Sequence, residues 1–109
     1  MQSPLTPEAA ELIARRFLAL SDPTRLRIVD LLRARGEASV GELTEALGTS
    51  QQNVSKHLAT LHTEGFVSRR KQGTSVIYGI ADPAVFDLCE QVCGGIEDQL
   101  SSVEAVLRG

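Results

Sequence analysis

The stretch Thr49-Ser50-Gln51-Gln52-Asn53-Val54-Ser55-Lys56-His57-Leu58 constrains this chain most. It follows a short helical segment that Gly48 ends, and Val54, Leu58 and Leu61 recur at helical spacing. The chain must therefore place two helices around a tight turn, the second opening on short or medium-length polar residues. A helix selected for propensity and solubility would carry Glu, Lys and Arg there. Gln, Asn, Ser and Lys at a helix N-terminus are instead groups that reach base edges and phosphates in a major groove. The segment reads as a DNA-recognition helix.

The rest of the chain is punctuated by helix starts and stops. Thr6 with Pro7 and Glu8 predicts the cap of a first helix, whose apolar face is Leu12, Ile13, Phe17 and Leu20. Asp22-Pro23 repeats the signal and opens a second helix, with Leu26, Val29 and Leu31 or Leu32 at helical spacing and Gly36 at its end. Ser39 with Glu42 three residues on is a capping box for a short third helix containing Val40, Leu43, Ala46 and Leu47. Ser50 caps the fourth, which Gly65 terminates. Two strands are expected, Phe66 to Lys71 and Thr74 to Ile80, around a Gln72-Gly73 turn, with Val76, Tyr78 and Ile80 alternating. A last helix is expected from Asp82-Pro83 to about Leu107.

These elements predict one mainly α domain over residues 1–109: about five helices and a two-stranded β-hairpin, arranged as a winged helix-turn-helix. The net charge of −3 conceals a segregation that suits such a fold. Between Gln51 and Ser75 lie Lys56, Arg69, Arg70 and Lys71 against the single acid Glu64, whereas Asp82 to Leu107 holds six acids and no base. A basic middle is a surface for phosphates, and the acidic tail serves something else. Gln51, Gln52 and Asn53 are the candidates for base reading, joined by His57 unless it packs locally. Ser50, Ser55, Lys56, Arg69, Arg70, Lys71 and Thr74 are the candidates for positioning on the backbone. The hairpin charges also suit a simpler role, since Lys and Arg protect exposed sheet edges.

No apolar run approaches the length of a membrane span, and the N-terminus lacks the charged and apolar regions of a signal peptide. A cytoplasmic protein is expected, with its two cysteines as free thiols or ligands rather than a structural bridge. On the last helix Val85, Leu88, Cys89, Val92, Ile96, Val103 and Leu107 form one apolar stripe, more than a small wing needs to cover. A partner subunit is therefore expected, and two recognition helices about a twofold axis would address half-sites one helical turn apart or a multiple of it.

Leu20-Ser21-Asp22-Pro23-Thr24-Arg25-Leu26-Arg27-Ile28, the segment Ser50 to Leu58, Leu61-His62-Thr63-Glu64-Gly65-Phe66-Val67 and the hairpin up to Tyr78 together resemble the ArsR/SmtB-type bacterial repressors. The resemblance covers nearly the whole chain. It implies a homodimer built from the first and last helices, bound to operator DNA of imperfect twofold symmetry. It also implies repression relieved by a ligand, usually a metal or metalloid ion and sometimes a redox or sulfur signal, with no cofactor needed for DNA binding and no enzymatic activity.

Two of that family's sensor sites are missing. Ser39-Val40-Gly41-Glu42-Leu43 stands where the arsenic-type box has cysteines, and the zinc-type histidines of the last helix are absent, since His57 and His62 both lie in the fourth helix. Cys89 and Cys93 remain, one turn apart on the last helix, where two thiolates would hold a soft ion, with Asp87, Glu90 or Glu97 as oxygen donors. Three other readings stay open. The thiols respond to oxidants or persulfides by forming a disulfide, with Gly94-Gly95 as a place for the helix to yield, unless those glycines only mark a close approach of two backbones across the dimer axis or a helix break. They are only core packing, as cysteines often are. Or the chain is a winged-helix protein-interaction module that senses nothing; a thiol enzyme is disfavoured because Cys89 and Cys93 are not spaced as Cys-x-x-Cys and no base lies nearby.

Overall fold

A computed structural model describes residues 4–109. Five helices and three strands follow one another as α1 (Pro7–Leu20), α2 (Pro23–Arg35), β1 (Glu37–Ser39), α3 (Val40–Leu47), α4 (Gln51–Thr63), β2 (Val67–Gln72), β3 (Ser75–Ile80) and α5 (Ala84–Arg108). The helix boundaries follow from local hydrogen bonding. Thr6 Oγ1 accepts from the N–H of Ala9, Asp22 Oδ1 from Thr24 and Arg25, and Ser50 Oγ from Asn53, so each cap occupies orphan donors of a first turn. The capping box closes in both directions, Ser39 Oγ accepting from the Glu42 N–H and Glu42 Oε1 from the Ser39 N–H. Gly48 leaves α3 in the left-handed region at φ +68°, which lets α4 start three residues later at a sharp angle.

The sheet has one strand more than the sequence announces. Its order is β1-β3-β2, all antiparallel, with Ala38 opposite Tyr78 and Arg69 opposite Tyr78 on the other side. Three residues, from Glu37 to the capping-box Ser39, give β3 a second partner and bury Ala38. The hairpin turn is also displaced by one residue: Gln72 pairs with Ser75, leaving Gly73-Thr74 as a two-residue turn. Gly73 takes φ +64° at the first turn position, where a side chain would be strained.

The core gathers Ile28, Val29 and Leu32 of α2, Leu43 of α3, Val54, Leu58 and Leu61 of α4, and Phe66, Val67 and Tyr78 of the wing. The polar joins are peripheral: Arg16 sits over the Phe66 ring at 5.2 Å and pairs with Asp82 at 3.8 Å, and Arg15 reaches Glu64. The expected apolar faces of α1 and α2 are only partly buried in one chain. Ala19 and Leu20 of α1 are in the core, but Leu12 and Phe17 are 58 % and 57 % exposed, and Leu26 of α2 is largely exposed as well.

α5 behaves likewise: Val85 is buried and Phe86, Leu88 and Cys89 pack against the core, while Val92, Ile96, Leu100 and Val103 stand in solvent. With both cysteines free the helix runs unbroken through Gly94 and Gly95, so these glycines are not a helix break; the backbone hydrogen bonds of a helix tolerate two glycines when no proline interrupts them. At 25 residues it is about 37 Å long and accounts for much of the 58 Å long axis. Among the described residues no helix is long and apolar enough to cross a membrane.

The caps carry a pH dependence. Backbone N–H donation from Arg25 holds the Asp22 carboxyl below its ordinary range, and donation from Ser39 does the same for Glu42. A carboxyl whose folded pKa is depressed adds stability above its unfolded pKa of about 4 and loses it as pH falls through the folded value. Thermal melts should therefore show wild-type stability dropping below about pH 4. Asp22→Asn combined with Glu42→Gln, which keeps an oxygen at each cap, should flatten that drop.

Candidate nucleic-acid interface and thiol pair

Burial sets the rotation of α4. Val54, Leu58 and Leu61 are completely buried along one side of the helix, which leaves Gln51, Gln52, Ser55 and Lys56 exposed on the other. These four, with the capping residue Ser50, line one open depression at the start of the helix. The first-turn N–H groups and the positive end of the helix dipole lie at the same place, so the depression suits an anion as well as base edges. β2 then carries Arg69, Arg70 and Lys71 outward and the hairpin turn carries Thr74, all exposed.

Three expected contact residues are placed differently from the rest. Asn53 is half-buried, and its amide donates to Thr49 Oγ1 at 3.2 Å, so it braces the turn before α4. Arg70 is engaged across the sheet, donating to Glu37 Oε2 at 2.6 Å and to Gln72 Oε1 at 2.8 Å. Pairs this exposed contribute little, about 0–1 kcal/mol, so a phosphate competes with Glu37 on nearly equal terms.

His57 is the clearest departure. Its side chain is only 13 % exposed and is turned inward, with Nδ1 at 3.1 Å from Arg25 Nη1 and Nε2 at 4.0 Å from Asp22 Oδ1. It packs locally, the second of its two expected readings, because its position on α4 carries it to the α2 side. Sequence spacing gave no signal for this, since the partners lie 32 and 35 residues earlier.

Cys89 and Cys93 are free thiols on α5, the first half-buried and the second exposed. Both line an apolar groove of about 720 Å³ whose walls include Leu18 and Ser21 at the end of α1, Leu26 of α2, and Ile96. They also share a second depression with Asp30 and Arg33 of α2. The two cysteines therefore border a common space. Burial pushes the Cys89 thiol above its ordinary value, Arg33 opposes the shift and Asp30 adds to it. Cys93 is also pushed up, first by the Glu97 charge and then by its own hydrogen bond to Glu97 Oε1 at 3.6 Å, with Glu90 adding less. At neutral pH both are thiols rather than thiolates. Among the described residues no three or more His, Cys, Asp or Glu side chains converge as a metal site.

The family model of the bacterial regulatory proteins of the arsR family matches residues 22–69, from the cap of α2 to the middle of β2. The chain is 45 % identical over 75 residues to a probable mercury resistance operon repressor of Streptomyces lividans, a match covering 69 % of this chain and 59 % of that protein. It thus spans about three-fifths of that relative. It is 35 % identical over 91 residues to a transcriptional repressor SmtB homolog of Synechocystis, covering 84 % of this chain and 68 % of the relative. Among solved structures, the homodimeric winged helix-turn-helix DNA-binding domain Mb0332 of Mycobacterium bovis superposes with a TM-score of 0.74 at 33 % identity, over 92 % of this chain and 94 % of that one. A helix-turn-helix whose second helix is polar on its outer face, a basic wing and these relatives lead to one conclusion: the chain belongs to the ArsR/SmtB family of DNA-binding transcriptional repressors, which are regulators and not enzymes.

Proposed function

We propose that this chain acts as a cytoplasmic homodimer on operator DNA of imperfect twofold symmetry and leaves it when a thiophilic metal or metalloid ion is captured at Cys89 and Cys93. The observation that carries the reading is the shared groove: both thiols open onto the ends of α1 and α2 beside the apolar face of α5. A second copy laid on the exposed Leu12, Phe17, Val92 and Ile96 removes an apolar patch that a monomer would leave in water, and the Mycobacterium bovis neighbour is homodimeric. An ion bound in the groove lies next to that interface, so its capture repacks the joint that spaces the two recognition helices. A coupling of about 1–3 kcal/mol is typical and changes operator affinity about five- to 150-fold.

The two thiols fit a soft two-coordinate ion, and higher coordination takes donors from the second protomer. The mercury-resistance role of the Streptomyces lividans relative agrees with a soft ion. A redox or persulfide signal is the weaker reading, because redox-sensing thiols are low in pKa and these two are raised. On the DNA side, Gln51 and Gln52 read bases, while Ser50, Ser55, Lys56, Arg69, Lys71 and Thr74 hold the backbone, with Arg70 joining them when phosphate displaces Glu37.

Cys89→Ser with Cys93→Ser should keep operator affinity within about twofold and abolish release by mercuric ion. Release of DNA by that double variant at the same ion concentration would sink the sensor reading. Because capture replaces two S–H protons, the apparent affinity for mercuric ion should rise with pH between about 6 and 9. On the DNA side, Arg69→Ala and Lys71→Ala should weaken random and operator duplexes alike, each lowering the salt slope by about one. Gln52→Ala should cost about tenfold on operator alone and leave the slope unchanged, as filter-binding titrations over a salt series would record.

A further inference from the structure

Arg25 is bound on three sides. Its Nε donates to the Ala19 carbonyl, Nη2 to the Leu18 carbonyl at 3.1 Å and Nη1 to Nδ1 of His57 at 3.1 Å. Leu18 and Ala19 belong to the last turn of α1, where the Leu18 carbonyl also accepts the Ser21 N–H at 3.0 Å, and His57 lies in the middle of the recognition helix. A guanidinium only donates, so Nδ1 must accept and the proton of the neutral ring sits on Nε2. That atom faces Asp22 Oδ1, which is itself fixed by the N–H groups of Thr24 and Arg25.

The remaining inward contacts of α4 are largely apolar: Val54, Leu58 and Leu61 against the core. Apolar burial is non-directional, so it sets which face points inward but only weakly resists rocking of the helix. Hydrogen bonds are directional, and this one ties α4 to the end of α1. We propose that Arg25 and His57 are positioning residues for operator reading, holding the recognition helix at a fixed angle to α1 and, in the dimer, to its twofold mate. Leu18, Ser21 and Leu26 also line the cysteine groove, so displacement of the α1 end at Cys89 and Cys93 reaches α4 through Arg25. That second step rests on the ion-sensing reading above; the first does not.

The test uses full-length wild-type protein and an operator selected from random duplexes with it. His57→Leu removes the acceptor, whereas His57→Asn returns an oxygen close to the position of Nδ1; Arg25→Lys keeps the charge without the three-way reach. Fluorescence anisotropy should show His57→Leu and Arg25→Lys weakening the operator about five- to tenfold while random duplex changes less than about twofold, with His57→Asn near wild type. Ring ¹⁵N shifts of wild type should place the His57 proton on Nε2.

Equal operator affinity for His57→Leu and wild type, equal loss on operator and random DNA, or a proton on Nδ1 would each overturn the proposal. If His57→Leu fails to fold, the comparison of Arg25→Lys with His57→Asn decides the matter alone. With mercuric ion added, the ratio of bound to released affinities should fall toward one in His57→Leu and persist in His57→Asn. A wild-type ratio of one refutes the cysteine sensor instead, and the positioning role then stands or falls on the operator affinities.

Discussion

Everything this fold presents to DNA depends on the burial of Val54, Leu58 and Leu61. Three fully buried side chains, each worth about 1.5–3 kcal/mol when removed from water, outweigh any polar contact on the opposite face of α4. They fix the rotation of the helix without reference to what its outer side carries, so Gln51, Gln52, Ser55 and Lys56 are free to be chosen for recognition. The capping oxygen of Ser50 and the left-handed Gly48 then fix where the helix begins. The choice of inward face comes from the core, register from the turn, and chemistry from residues that stabilise neither.

How much of this could be read from the chain depended on the range of each interaction. Caps were legible because an oxygen and the N–H it receives are two or three residues apart, as at Thr6, Asp22, Ser39 and Ser50. β1 was not, because three residues with one buried Ala38 have no period to detect and form a strand only when β3 offers an edge. The wing turn was misplaced by one residue because glycine serves either turn position in general, and only the pairing of Gln72 with Ser75 shows that Gly73 holds the first. The contacts of His57 with Arg25 and of Arg70 with Glu37 were not legible, because polarity is local information and these partners lie 32 and 33 residues away.

The incomplete burial of α1 and α5 follows the same logic at a larger scale. The stripe on α5 was visible in the sequence, but a stripe does not say whose surface covers it. In one chain only its first turns find the core, at Val85, Phe86, Leu88 and Cys89. The rest continues in register past the point where the body ends, which is the pattern of a helix shared between two copies. Cys89 sits at that boundary and Cys93 just beyond it. A group there is held by the fold on one side and open to the partner or to an ion on the other.

The acidity of α5 gives the proposed sensor its selectivity. Glu97 and Glu90 beside Cys93, with desolvation at Cys89, favour the S–H form, so any ion must displace protons before it bonds sulfur. Protons compete with every ion for the sulfurs, and in the proposed sensor the most thiophilic ions overcome that competition most readily. The same carboxylates draw cations toward the groove and repel DNA from this end of the molecule. In the proposed sensor one set of charges would thus keep α5 away from the operator, draw metal ions toward the thiols and set a proton competition that the most thiophilic ions overcome.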